Sequence, residues 1–320
     1  MKKEKFDPEV YEFYKPALEG AGFAASLTEA DIPWLREDEE MRHARNTFPY
    51  EVHQKIDVQI PREHAAPLRV RIYVPEAISS SLTPAPVLLY FHGGGWVMGS
   101  VADHDPLCGK LADACQAIVI SVDYRLAPEY PFPACIEDAV CAAEWTHENA
   151  ARFGGDPDRL LAGGDSSGAN ISAALAYLGK EGKAPSISHL ILFYGAFGCL
   201  DVAKSPSGRR FGGGGFVLPL DAMALMLALY APEGTDMDDP RLFPGKASDL
   251  TGMPPAHVIT AEFDPLRDDS EAFARRLSEA GCEVSLTRME GMMHGFILYW
   301  QSFHRAEELI DRIGRELYST

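Results

Sequence analysis

Basic residues are scarce in this sequence. Its 320 residues carry 29 Lys and Arg against 47 Asp and Glu, a formal net charge of −18. A surface that acidic repels phosphate backbones and anionic lipid, which disfavours nucleic-acid binding and attachment to membranes. Solubility is the plain role for the charge. No apolar run approaches the roughly 20 residues needed to cross a bilayer. The opening MKKEKFDPEVYEFYK also lacks the continuous apolar core of a signal peptide, so a cytoplasmic location is the expectation. The six cysteines, Cys108, Cys115, Cys135, Cys141, Cys199 and Cys282, form no CxxC and stand at no zinc-ligand spacing with a histidine. Spread through so long a chain, they are expected to be reduced and mostly buried, acting as small hydrophobes.

Hydrophobic residues make up 46% of the chain, enough for a sizeable core. From about residue 50 onward, short β-branched apolar runs alternate with helical patterns. Strands are predicted at 52–59, 69–74, 87–91, 117–122, 159–163, 189–194, 257–262 and 283–288. The first two alternate polar and apolar residues, as a half-exposed antiparallel edge does. The middle ones are nearly all apolar, as strands covered on both faces must be. Helices are predicted at 135–150, 168–181, 266–280 and 303–317, the last with Phe303, Ala306, Leu309, Ile310, Ile313 and Leu317 on one stripe. The fold class is α/β, with a mostly parallel, doubly wound sheet of eight strands. Two stretches break the rhythm: residues 1–45, aromatic-rich without strand signal, and residues 200–250, containing FGGGGF and the apolar LDAMALMLALY. Both read as parts of a helical cap over one end of the sheet, leaving 46–320 as the catalytic domain that carries the second insertion.

The strongest chemical signal is Gly164-Asp165-Ser166-Ser167-Gly168, between the strand RLLAG and the helical GANISAALAYL. Alone, it also describes a glycine-rich turn with a helix-capping serine. In strand-turn-helix context it describes a nucleophile elbow, where flanking glycines admit a strained serine and the helix N-terminus faces a developing oxyanion. The second signal is His92-Gly93-Gly94-Gly95-Trp96, directly after VLLYF. Its glycines leave backbone N–H groups uncrowded, and no GK[ST] or GxGxxG pattern follows to suggest a phosphate cradle. The expected oxyanion donors are the N–H groups of Gly94, Gly95 and Ser167, while His92 is expected to anchor the loop.

A serine nucleophile needs a base and an orienting acid, expected later in the chain. His294, in GMMHGF past the last strand, is the expected base. His304 falls inside the C-terminal helix, and His189 and His257 begin strands, at the wrong ends. Among Glu262, Asp264, Asp268 and Asp269, the choice is Asp264, which follows its strand at once and is fixed by Pro265. Asp268 and Asp269 suit the first turn of the next helix. Trp96, Met98, Phe211, Phe216, Met223, Leu227, Met292 and Met293 are candidates for a substrate pocket, with core packing as the plainer role of each.

These blocks resemble the hormone-sensitive-lipase-like, or bacterial type IV, carboxylesterases of the α/β-hydrolase superfamily. HGGGW at 92–96, DYRLAPEYPFPA at 123–134, GDSSG at 164–168, DPLRD at 264–268 and HGF at 294–296 match the family's blocks in order. The resemblance implies an α/β-hydrolase fold and hydrolysis of short- to medium-chain acyl esters. It implies Ser166, Asp264 and His294 as catalytic residues, with Gly94, Gly95 and Ser167 in the oxyanion hole and His92, Gly93 and Asp165 in support. It calls for a small-molecule ester and no metal or organic cofactor, and members of the family are often homodimers. Ser167 departs from the family's usual alanine and adds a second hydroxyl near the site. Within the YRLAPE block, Asp123 and Arg125 are expected to hold loops without catalytic role. The same triad would also serve an amidase, arylformamidase or lactonase. A non-catalytic receptor like the plant gibberellin receptors is disfavoured, because those have lost the histidine that stands here at 294.

Overall fold

The computed structural model describes residues 6–19, 28–37, 48–62, 66–79 and 83–318. The cap expected over residues 1–45 therefore lies partly outside the described residues. All eight predicted strands form, as β1 (Gln54–Ile60), β2 (Leu68–Val74), β3 (Ala85–Phe91), β4 (Ile118–Asp123), β5 (Gly155–Asp165), β6 (His189–Phe193), β7 (Ala256–Phe263) and β8 (Val284–Met293). They make one sheet of order β1-β2-β4-β3-β5-β6-β7-β8. β1 pairs antiparallel with β2, and β2 antiparallel with β4, where the alternating sequences predicted a half-exposed edge. The remaining pairings are parallel.

The helices are α1 (Pro8–Glu19), α2 (Asp105–Cys115), α3 (Ala134–Asn149), α4 (Ser167–Lys180), α5 (Pro206–Phe211), α6 (Leu220–Tyr230), α7 (Arg267–Glu279) and α8 (His304–Tyr318), apart from single turns and a short helical stretch at 32–37. Successive residues of a strand face opposite sides, and β3 shows the result. Val87, Leu89 and Phe91 enter one core with α3, α4 and α7, while Leu88 and Tyr90 enter another with α2 and α8. The predicted stripe of α8 is buried at all six positions. Helix α2 was not foreseen from the sequence, although Asp105-Pro106 is a helix-start signal. No helix among the described residues is long and apolar enough to cross a membrane.

The sheet reverses its winding between β3 and β5, which lie side by side with Phe91 opposite Gly164. Open α/β sheets form their clefts at such a switch point, beyond the carboxyl ends of the strands. The glycine loop leaves β3 there and the serine elbow leaves β5.

At the other end of the sheet, His189 Nε2 lies 2.7 Å from His257 Nδ1, and His257 Nε2 lies 2.8 Å from Glu316 Oε2. Glu316 accepts, so the His257 proton sits on Nε2 and His189 donates to Nδ1. Burial, then the nearby His257, push His189 down to about 4. The unfolded chain therefore binds the extra proton between that value and the ordinary histidine value of about 6.5. Stability should be full above that window and decline as pH falls through it. A urea-unfolding series from pH 7 to 4.5 should show a shallower acid loss in His189→Gln than in wild type, and parallel curves would exclude this contribution.

Candidate active site

The elbow forms where β5 runs into α4. Ser166 has φ 53° and ψ −117°, a conformation unfavourable for a residue with a side chain. Its N–H donates to the Phe193 carbonyl at 2.8 Å, so the neighbouring strand β6 holds the turn. Helix α4 must start almost in contact with the end of β3. A Cβ at Gly168 would collide with the Phe91 carbonyl, which explains the glycine there.

Two loops beyond neighbouring strands converge on this serine. Asp264, fully buried after β7, accepts the Leu266 N–H on Oδ1 at 2.8 Å. Its Oδ2 lies 2.7 Å from His294 Nδ1, and His294 Nε2 lies 3.0 Å from Ser166 Oγ. Positions separated by 30 and 128 residues in sequence thus join in one hydrogen-bonded chain. Since the carboxylate accepts at Nδ1, the imidazole proton sits there, and Nε2 presents a lone pair to the serine hydroxyl. Tyr194, directly after β6, lays its ring 4.7 Å from the His294 ring and holds a positive φ of 39°. Burial, then Asp165, pushes its phenol well above the usual range, so it stays neutral beside the imidazole. Sequence reasoning missed Tyr194. Its one signal is its position at the carboxyl end of a central strand.

The glycine loop is aimed by what its carbonyls accept. A peptide unit is planar and trans, so fixing a carbonyl fixes the following N–H in the opposite direction. The Gly93 carbonyl accepts from His92 Nδ1 at 2.8 Å, which sets the Gly94 N–H. The Gly94 carbonyl accepts from Val97 and Met98 N–H at 3.1 and 3.0 Å, which sets the Gly95 N–H. Among the described residues, neither the Gly94 nor the Gly95 N–H has an intramolecular acceptor. Burial, then the nearby His104, holds His92 down at about 4, and the ring serves as a neutral anchor.

Asp165 ties this loop to the elbow. Its Oδ1 accepts from Gly93 N–H at 3.0 Å and from the Tyr90 hydroxyl at 2.9 Å, and lies 3.1 Å from His104 Nε2. Burial works against its charge, but His104 and the hydrogen bonds outweigh burial and hold the carboxyl below its ordinary value. The sequence did not point to His104, nine residues past Gly95 and just before α2. The Ser167 hydroxyl is buried and meets no hydrogen-bond partner among the described residues.

Ser166 and His294 open onto a cavity of about 950 Å³, at the large end for small-molecule sites. Phe13 and Tyr14 of α1, Trp34 and Leu35, and Met223 and Leu227 of α6 supply apolar walls. Trp34, Leu200 and Met237 are exposed apolar side chains at the same cavity. Of the pocket candidates, Trp96, Met98, Met223 and Leu227 line it. Phe211, Phe216, Met292 and Met293 instead pack in the core on the α8 side of the sheet. Two acids do more than favour a helix dipole. Asp269 accepts N–H bonds from Phe197, Gly198 and Leu200 at 2.6, 3.1 and 2.8 Å, fixing a loop of the cavity wall. Asp268 accepts from Ser207 N–H at the start of α5, 2.8 Å away.

A hydrogen-bonded Ser-His-Asp chain above the switch point of such a sheet defines a hydrolase. A family model described as the α/β-hydrolase fold matches residues 88–298. Carboxylesterase NlhH of Mycobacterium tuberculosis is 42% identical over 233 residues, 71% of this chain and 70% of that protein. An ester hydrolase from the metagenome of Lake Arreo superposes with a TM-score of 0.87 at 32% identity, covering 98% of this chain and 100% of the other. A hyperthermophilic esterase from Pyrobaculum calidifontis gives 0.85 at 31% identity, covering 98% of each. The chain belongs to the α/β-hydrolase fold family, within its hormone-sensitive-lipase-like esterases. It is a carboxylic ester hydrolase.

Proposed function

We propose that this esterase cleaves short- to medium-chain acyl esters through an acyl-enzyme on Ser166. The observation that carries the reading is the unbroken chain from Asp264 through His294 to Ser166, at 2.7 and 3.0 Å, opening on an apolar cavity. His294 Nε2 takes the serine proton as Oγ attacks the ester carbonyl, and the resulting imidazolium is stabilised by Asp264. The tetrahedral oxyanion is received by the N–H groups of Gly94, Gly95 and Ser167, each contributing about 3–4 kcal/mol. His294 returns the proton to the departing alcohol. Water, activated in the same way, then releases the acid. His92, Gly93 and Asp165 act by holding those donors in place. The segments around α1, residues 28–37 and α6 form the cap, whose apolar walls take up the acyl and alcohol groups.

The test is hydrolysis of p-nitrophenyl esters from acetate to palmitate, with a fluorophosphonate label mapped by mass spectrometry. The expected result is fast turnover of the shorter esters with the label on Ser166 alone. Label on another residue would overturn the nucleophile. Label on Ser166 without ester turnover would move the substrate to amides, formamides or lactones.

A further inference from the structure

Residues 124–132, most of the YRLAPE block, carry no reacting group, yet they brace everything around the glycine loop. The Tyr124 ring stacks on His92 with centroids 4.2 Å apart, and its hydroxyl donates to the His92 carbonyl at 2.8 Å. The Ala127 N–H donates to the Trp96 carbonyl at 2.9 Å. The Phe132 N–H donates at 2.7 Å to the carbonyl of Tyr230, the last residue of α6, whose ring lies flat on Trp96 at 4.6 Å.

One side chain closes this bracket from the other side. Arg36, in the helical stretch 32–37, donates from Nε to the Val97 carbonyl at 2.8 Å and from Nη2 to the Ala127 carbonyl at 2.9 Å. The same guanidinium forks onto both carboxylate oxygens of Glu129, each at 2.9 Å. Hydrogen bonding from Arg36 holds the Glu129 carboxyl below its ordinary range. An exposed ion pair of this kind is worth little by itself. Its geometry matters more. Glu129 fixes the plane of the fork, and the remaining donors of that plane bind the carbonyls of two loops, which a lysine cannot reproduce.

We propose that Arg36 is a positioning residue for the oxyanion hole, acting through the Val97 and Ala127 carbonyls to hold the turn that carries the Gly94 and Gly95 N–H groups and aims the second of them. The inference rests on the reading of those groups as oxyanion donors. Val97 is tied to Arg36 by its carbonyl and to the Gly94 carbonyl by its N–H. Releasing the first bond loosens the second, and the Gly95 N–H is then free to turn with its peptide plane. Donors that must reorganise during reaction lose much of their value. Trp34 and Leu35, beside Arg36, line the cavity, so the competing role is that Arg36 merely seats a wall of the pocket.

The two roles separate kinetically. Wild type, Arg36→Ala, Arg36→Lys and Glu129→Gln would be assayed on p-nitrophenyl acetate and octanoate. Rates would be normalised to Ser166 titrated with fluorophosphonate. An aliphatic trifluoromethyl ketone, whose adduct places an oxyanion in the hole, would be tested as inhibitor. For Arg36→Ala the expected loss in kcat/KM is on the order of tenfold or more on both esters alike. The ketone should weaken by the same factor, since it mimics the transition state. Arg36→Lys should restore little, and Glu129→Gln should fall in between. Acetate turnover and ketone binding both within twofold of wild type, with only the octanoate KM raised, would overturn the proposal. Should Arg36→Ala fail to fold, Arg36→Lys and Glu129→Gln decide by the same comparison. Wild-type enzyme without label on Ser166 would instead overturn the underlying mechanism, a distinct outcome.

Discussion

Ser166→Ala is expected to lower kcat on p-nitrophenyl acetate by about 10⁴-fold or more, the loss typical when a triad nucleophile is removed. Only the hydroxyl is lost. Its hydrogen-bond partner in the structure is His294 Nε2 at 3.0 Å, and the positive φ of the elbow is borne by alanine as by serine. The thermal midpoint should therefore stay near that of wild type, which separates loss of chemistry from loss of fold. Fluorophosphonate labelling should vanish together with turnover. A residual rate above the uncatalysed one is still expected, because the N–H donors of the glycine loop and Ser167 remain in place. Retention of about a hundredth of the wild-type rate, after contamination is excluded by purification from a host lacking esterases, would sink the assignment of Ser166. A variant that lost activity and cooperative melting together would instead mean that the hydroxyl holds the elbow.

What was legible in the sequence follows from what local patterns can encode. Strands covered on both faces announce themselves as apolar runs, and the alternation in β1 and β2 marks a partly solvated edge. The elbow and the glycine loop are equally local, since each needs glycine beside a fixed strand end. Asp264 was separable from Asp268 and Asp269 because only it stands directly after the strand. Contacts spanning long stretches of chain left no such trace. Arg36 meets Val97 from 61 positions away and Glu129 from 93, and no periodicity announces either bond. His104 reaches Asp165 in the same way. The large apolar residues were ambiguous for another reason. Met223 and Met293 have the same chemistry, and only the packing decides that one lines the cavity while the other fills the core. The expected fold and chemistry thus came from strand ends, and the support around the site came from tertiary packing.

Asp264→Asn is expected to cost about 10⁴-fold in kcat with the fold preserved, and the reason is a tautomer. In the wild type, Oδ1 accepts the Leu266 N–H at 2.8 Å while Oδ2 accepts from His294 Nδ1 at 2.7 Å. An asparagine has one accepting oxygen for these two donors. If that oxygen stays on Leu266, the amide NH₂ faces His294 Nδ1 and can only donate to it. The imidazole proton is then driven to Nε2, which no longer accepts from Ser166 Oγ. If the amide turns over, its NH₂ meets the Leu266 N–H, donor against donor, in a fully buried site. Leaving that N–H unsatisfied costs about 1–3 kcal/mol, so the first orientation is favoured. The measurement is a pH–rate profile of Asp264→Asn on p-nitrophenyl acetate, with the fluorophosphonate labelling rate followed in parallel. Both rates should fall together and recover partly in strong alkali, where hydroxide can deprotonate the serine without help from the histidine. A variant within about tenfold of wild type at neutral pH would show that Asp264 does not set the tautomer, and the orienting acid would have to be sought elsewhere around His294.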